Sequence, residues 1–138
     1  MNYETLTKHI LHELKITNKH IAYNYIASGI YFMQLDRQCI EHITKSMYID
    51  IAERYGTTSI NVERSIRTTI EIIWKKNNYH PLLVKIFGEE YLTYRPTNTE
   101  FFKRLYAYID FYNNAENIIK CPFLGCDHCA LNSVIDMV

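Results

Sequence analysis

Glycine and proline are scarce: four and three among 138 residues. A β-sandwich or barrel needs many turns and usually carries more of both, so their scarcity favours a mostly helical domain. No apolar run approaches the roughly 18 residues of a membrane span. Met1-Asn2-Tyr3-Glu4 lacks the charged-then-apolar order of a secretory signal. The chain is therefore expected in the cytoplasm, with reduced thiols and no membrane association. Net charge is also lacking. Fifteen Lys plus Arg balance 15 Asp plus Glu, which excludes a histone-like or polybasic nucleic-acid binder. There is no Gly-rich phosphate loop and no nucleophile elbow. His12-Glu13 starts a zinc-protease motif, but the second His would have to stand where Ile16 does. An enzyme is not expected.

Apolar material is plentiful. With 48% hydrophobic and 14% aromatic residues, the chain holds enough for the core of one domain and is not disordered. The zero net charge is unevenly spread. Residues 45–80 carry six basic groups against four acidic ones, whereas residues 81–138 carry five against seven. The middle third is thus modestly basic.

Periodicity predicts an all-α, six-helix, bundle-like domain. Leu6, Ile10, Leu11 and Leu14 mark a helix over residues 3–14, and Ile21 to Met33 mark a longer one over residues 19–34. Asp36 is a candidate N-cap for a third helix reaching Lys45. A fourth runs from Tyr48 to Tyr55 and stops at Gly56, and a fifth follows the capping cluster Thr57-Thr58-Ser59 and reaches Lys76. Pro81 to Phe87 allows one or two turns. Thr97-Asn98-Thr99-Glu100 reads as a capping box starting a sixth helix that ends near Tyr112. Asn113-Asn114 is the candidate boundary between a domain over residues 1–112 and a cysteine-containing tail over residues 113–138.

The stretch from Tyr48 to Arg64 carries the functional signal. Ala52 allows close helix crossing, Gly56 takes the left-handed turn, and Val62 packs the second helix back onto the first. Ile51 and Tyr55 are expected to complete the buried side. That spacing fits a helix-turn-helix, and it also fits an ordinary helical hairpin. On the second helix, Val62, Ile66, Thr69, Ile70 and Ile73 form one stripe. At about 100° per residue, Arg64 and Glu71 point nearly opposite it, Glu63 and Arg67 flank it, and Asn61 sits at the exposed N-terminal end. Such side chains read bases in a major groove: Arg on guanine, Asn on adenine, Glu on cytosine. Thr57, Thr58 and Ser59 suit a phosphate at the helix N-terminus, and Lys75 is a further backbone candidate.

These blocks resemble the C-terminal effector domain of the master sporulation response regulator family (stage-zero sporulation protein A) over residues 5–112. The resemblance rests on Ile10-Leu11-His12-Glu13-Leu14, Ile43-Thr44-Lys45, Asp50-Ile51-Ala52, Thr57-Thr58, Val62-Glu63-Arg64 with Ile66-Arg67, and Ile70-Glu71 with Trp74. Phe87-Gly88 and Pro96-Thr97-Asn98 with Glu100-Phe101 complete it. It implies an all-helical domain that binds short double-stranded DNA boxes and regulates transcription, with Glu63, Arg64 and Arg67 on the recognition helix. It also implies contact with RNA polymerase around Asn78 to Gly88. The family usually has Arg where this chain has Asn61, and often Pro where it has Ile49. This chain starts at the effector domain, so the family's phosphoacceptor domain, and dimerisation driven by it, are not expected. A homodimer or a complex with a full-length sporulation regulator are the candidate assemblies. The alternative function is a protein-interaction module that pairs with such a regulator and antagonises it without binding DNA.

No cofactor is required by this reading. Cys121, Cys126 and Cys129, with His128, nevertheless offer thiolate and imidazole ligands to zinc, with Pro122 and Gly125 allowing a tight turn. Plain thiols and a Cys126–Cys129 redox pair are the competing readings. If zinc binds, elemental analysis of protein purified without added metal should find it, and occupancy should fall as pH drops because the ligands are thiolates. Metal-free protein would leave the thiol readings.

Overall fold

The helical periodicity is realised in six α-helices among the described residues: α1 (Tyr3–Glu13), α2 (Ala22–Leu35), α3 (Lys45–Tyr55), α4 (Ser59–Lys76), α5 (Pro81–Phe87) and α6 (Asn98–Ile119). A 3-10 turn spans Glu89–Leu92, and the described residues contain no strand. This computed structural model describes residues 2–36, 45–77 and 80–119, with the backbone alone for 115–119. The chain is all-α.

One core joins the helices. Leu11, Ile26, Ile30, Met47, Ile51 and Val62 are fully buried, as are Phe87, Phe101 and Phe102. The α4 helix packs against α2, α3 and α6 together. Polar bonds fasten the outer helices. The Tyr3 hydroxyl donates to Asp110 Oδ1 at 2.6 Å, joining α1 to α6. Burial, reinforced by that carboxylate, pushes the Tyr3 phenol up to about 12. Arg54 on α3 reaches Glu4 at 3.4 Å and Ser28 Oγ at 3.1 Å, and lies over the rings of Tyr31 and Tyr55.

Several expectations shift. The second helix starts at Ala22 instead of Lys19, because residues 15–21 form a turn in which Lys15 adopts a left-handed φ of 68°. The third expected helix lies, apart from Asp36 and Lys45, outside the described residues. Asp36 ends α2, its amide donating to the Phe32 carbonyl at 2.9 Å. The following helix starts at Lys45, three residues before Tyr48. Tyr55 is not sealed in the core: it is 37% exposed, its ring tilts against Tyr25 at 5.4 Å, and its hydroxyl lies 2.7 Å from Ser28 Oγ. The hydroxyl finds its partner at the edge of the α2–α3 contact, which holds the ring there. The α6 helix passes through Asn113-Asn114 to Ile119, so that dipeptide does not end it. Pro81 to Phe87 is a seven-residue helix, with Pro81 in its first turn and the His80 ring accepting from the Leu82 amide at 3.0 Å.

Gly29 on α2 lies tight against Phe102 of α6. A Cβ there would lie 2.7 Å from Phe102 Cε1 and 3.3 Å from Met47 Sδ, and both side chains are fully buried. Gly29→Ala should therefore lower stability by about 1 kcal/mol or more, despite alanine's better helix propensity. Urea unfolding checks this; an unchanged or higher midpoint would contradict the packing.

Candidate nucleic-acid interface

The joint between α3 and α4 is set by backbone chemistry. Gly56 has φ 67° and the Thr57 amide donates to the Ala52 carbonyl at 3.0 Å, the bond pattern of a helix ended by a left-handed residue. Nothing lies within 4 Å of a Cβ built on Gly56, so conformation alone, and not space, requires glycine there. Ala52 is buried at the crossing. Thr58 then caps α4, its Oγ1 accepting from the Asn61 amide at 3.2 Å, while Asn61 Nδ2 donates to Thr57 Oγ1 at 3.3 Å. Both hydroxyls accept in these bonds and keep their own protons for an outside acceptor.

Burial divides α4 as its periodicity predicts. Val62, Ile66, Thr69, Ile70 and Ile73 are buried. Asn61, Arg64, Arg67 and Lys75 are exposed, and Ser59 and Glu63 are half-buried. Arg67 Nη2 pairs with Glu63 Oε1 at 3.1 Å across one helical turn. The sequence-predicted residues thus gather along one side of one helix, with Arg64 at its middle. Lys75 stands apart, about 16 Å along the axis from Arg64.

Tertiary structure adds residues that periodicity did not reveal. The loop leading into α6 runs beside α4 and makes with it an open groove of ≈ 1320 Å³, lined among others by Lys45, Ile49, Ile60, Arg67, Tyr94 and Arg95. Arg95 Nη2 lies 3.4 Å from Glu71 Oε2. No repeat or periodicity marks Arg95 or Lys45; Lys45 closes one of the family blocks, and Arg95 stands just before another that contains the capping box. That box forms: Thr97 Oγ1 accepts from the Glu100 amide at 3.2 Å, and Glu100 Oε1 accepts from the Thr97 amide at 2.9 Å. The loop and α4 are held in register by two side chains. Asn98 Nδ2 donates to the Glu63 carbonyl and to the Tyr48 hydroxyl, each at 3.2 Å. Trp74 Nε1 donates to the Tyr91 carbonyl at 2.7 Å, and its ring meets Phe87 edge-on at 5.1 Å. Trp74 thus anchors α4.

Cys121, Cys126 and Cys129 lie outside the described residues. Among the described residues no group of three His, Cys, Asp or Glu side chains is placed to hold a metal ion. No described helix is long and apolar enough to cross a membrane.

Compared with known families, residues 7–109 match the family model described as sporulation initiation factor Spo0A C terminal. The match takes in α2 to α5 whole, and with them the complete α3–turn–α4 unit.

The Thr97 backbone bond, aided by the Tyr91 and Thr97 hydroxyls and the Arg104 charge, holds the Glu100 carboxyl below its ordinary value of 4.5 against the opposing effect of burial. A carboxyl lowered on folding stabilises fully above its unfolded value, and that contribution is lost as pH falls through the folded one. Glu100→Gln should lower neutral-pH stability by a few tenths to about 1 kcal/mol. It should also flatten the acid limb below about pH 4.5. Urea midpoints at neutral and acid pH check this; an equal loss at both would contradict it.

Proposed function

Because the chain belongs to the Spo0A C-terminal family, we propose that it is a sequence-specific DNA-binding regulator of transcription that reads its sites with α4. The observation that carries the assignment to α4 is the exposure of Arg64 midway between Asn61 and Arg67, on a helix whose opposite side is buried. In a major groove, Arg64 donates two hydrogen bonds to guanine, Asn61 pairs with adenine, and Glu63 accepts from cytosine while orienting Arg67. Thr57, Thr58 and the Ser59 amide take a phosphate at the α4 N-terminus. Arg95 and Lys45 suit the backbone on the groove side, with Lys75 farther along.

The family membership also motivates a contact between the polymerase and the segment from Asn78 to Gly88. Within it Pro81 is exposed and Lys85 half-buried, whereas Leu82, Leu83, Ile86 and Phe87 face the core. A second reading, a module that pairs with a full-length regulator, draws on the apolar exposure in the groove: Ile49 is 48% exposed, Ile60 60% and Tyr94 54%.

Gel shifts at stated salt, with a duplex selected by the protein from a random pool and a scrambled control, separate these readings. The proposal predicts preferential binding of the selected duplex. It predicts a loss of about 1–3 kcal/mol in Arg64→Ala with relaxed preference at one base pair. Roughly four phosphate contacts from α4 and its groove should contribute about −3 to −4 to the log–log salt slope. Equal binding of both duplexes would overturn it.

A further inference from the structure

We infer that the turn between α1 and α2 is a second DNA-backbone contact, in which Lys19 and His20 hold a phosphodiester beside Arg64 and Lys15 holds another toward the C-terminal end of α4. The inference rests on the DNA-binding reading and adds a surface that lies far from α4 in sequence. The turn is fastened to α4: the buried Asn77, directly after the helix, donates from Nδ2 to the Leu14 carbonyl at 2.8 Å. Farther along, His20 and Ile21 line a cleft of ≈ 260 Å³ with Arg64, Ser65 and Thr68 of α4. On a helical wheel Ser65 and Thr68 lie on the side of Arg64 away from Arg67 and Glu71. The reading face therefore has two walls, the Arg95 loop on one side and this turn on the other. A helix seated in a major groove about 12 Å wide meets a phosphate backbone on each side.

The chemistry of the turn suits that backbone. From Leu14 to Leu35 the chain has no Asp or Glu, although its overall charge is zero. Lys15 and Lys19 are exposed. His20 Nδ1 accepts from the Thr17 amide at 3.2 Å, so the neutral ring carries its proton on Nε2 and is a donor there. Thr17 Oγ1 accepts from the Lys19 amide at 3.3 Å, which orders the segment before any ligand arrives. Lys15 supplies an independent signal. It is the only non-glycine residue with positive φ among the described residues, and it ends α1 with the Ile16 amide donating to the Leu11 carbonyl at 2.8 Å. Glycine fits that conformation with less strain, so the position keeps a cation at a cost in stability.

Three variants test the inference: Lys15→Gly, Lys19→Gln and His20→Asn, the last keeping an acceptor for the Thr17 amide while removing the Nε2 donor. Each should weaken binding of selected and scrambled duplexes by the same factor, roughly three- to tenfold. The two lysine changes should each reduce the salt slope by about 0.9. Lys15→Gly should do this while raising the melting temperature, an outcome that damage to the fold does not produce. Wild-type affinities and slopes in all three would overturn the inference alone. A wild-type chain that binds neither duplex would overturn it together with the DNA-binding reading.

Discussion

The geometry of the exposed face of α4 depends on how the helix is buried. Val62, Ile66 and Ile73 are completely sealed from solvent and Ile70 almost so, and the helix meets α2, α3 and α6 at once. Burying such a side chain contributes about 1.5–3 kcal/mol. Most helical stability in proteins comes from packing an amphipathic face, so the stripe, and not local propensity, decides where α4 sits and which way it turns. Once that stripe is placed, Asn61, Arg64 and Arg67 have no course but outward. The same constraint explains why polar bonds to α4 cluster at its edges. Asn98 reaches the Glu63 carbonyl, Trp74 the Tyr91 carbonyl, and Asn77 the Leu14 carbonyl. Each ties a neighbouring loop to a helix already fixed by its core.

Electrostatics then refine a face whose net charge is small. Two of its arginines stand in ion pairs, Arg67 with Glu63 and Arg95 with Glu71. Exposed pairs of this kind contribute little to stability. On the proposed reading they bear on binding instead: a paired guanidinium would be oriented before it met a base, and the carboxylate would limit attraction to phosphate in general. A chain with balanced charge and a modestly basic middle therefore suits selective contact better than broad adhesion to nucleic acid.

What the sequence made legible was local. The α4 stripe, the Gly56 turn, the Thr58 cap and the Thr97–Glu100 box are relations within a few residues, and all four appear where periodicity and capping chemistry put them. The family blocks pointed to the same face. What stayed hidden was tertiary. Arg95 and His20 flank α4 because loops distant in sequence pack beside it, and no spacing announces that. Tyr55 looked like a core residue until Ser28 gave its hydroxyl a partner at the edge. The continuation of α6 past Asn113-Asn114 was missed because asparagine is only mildly unfavourable within a helix.

On the proposed function, the exposed side of α4 is what touches DNA. The most direct measurement is amide chemical-shift mapping of the full chain titrated with a duplex it has selected. The largest perturbations should run from Thr57 to Glu71, with weaker ones in the flanking turn and loop. Perturbations centred instead on the exposed apolar residues Leu35 and Phe111, or none at all, would contradict it.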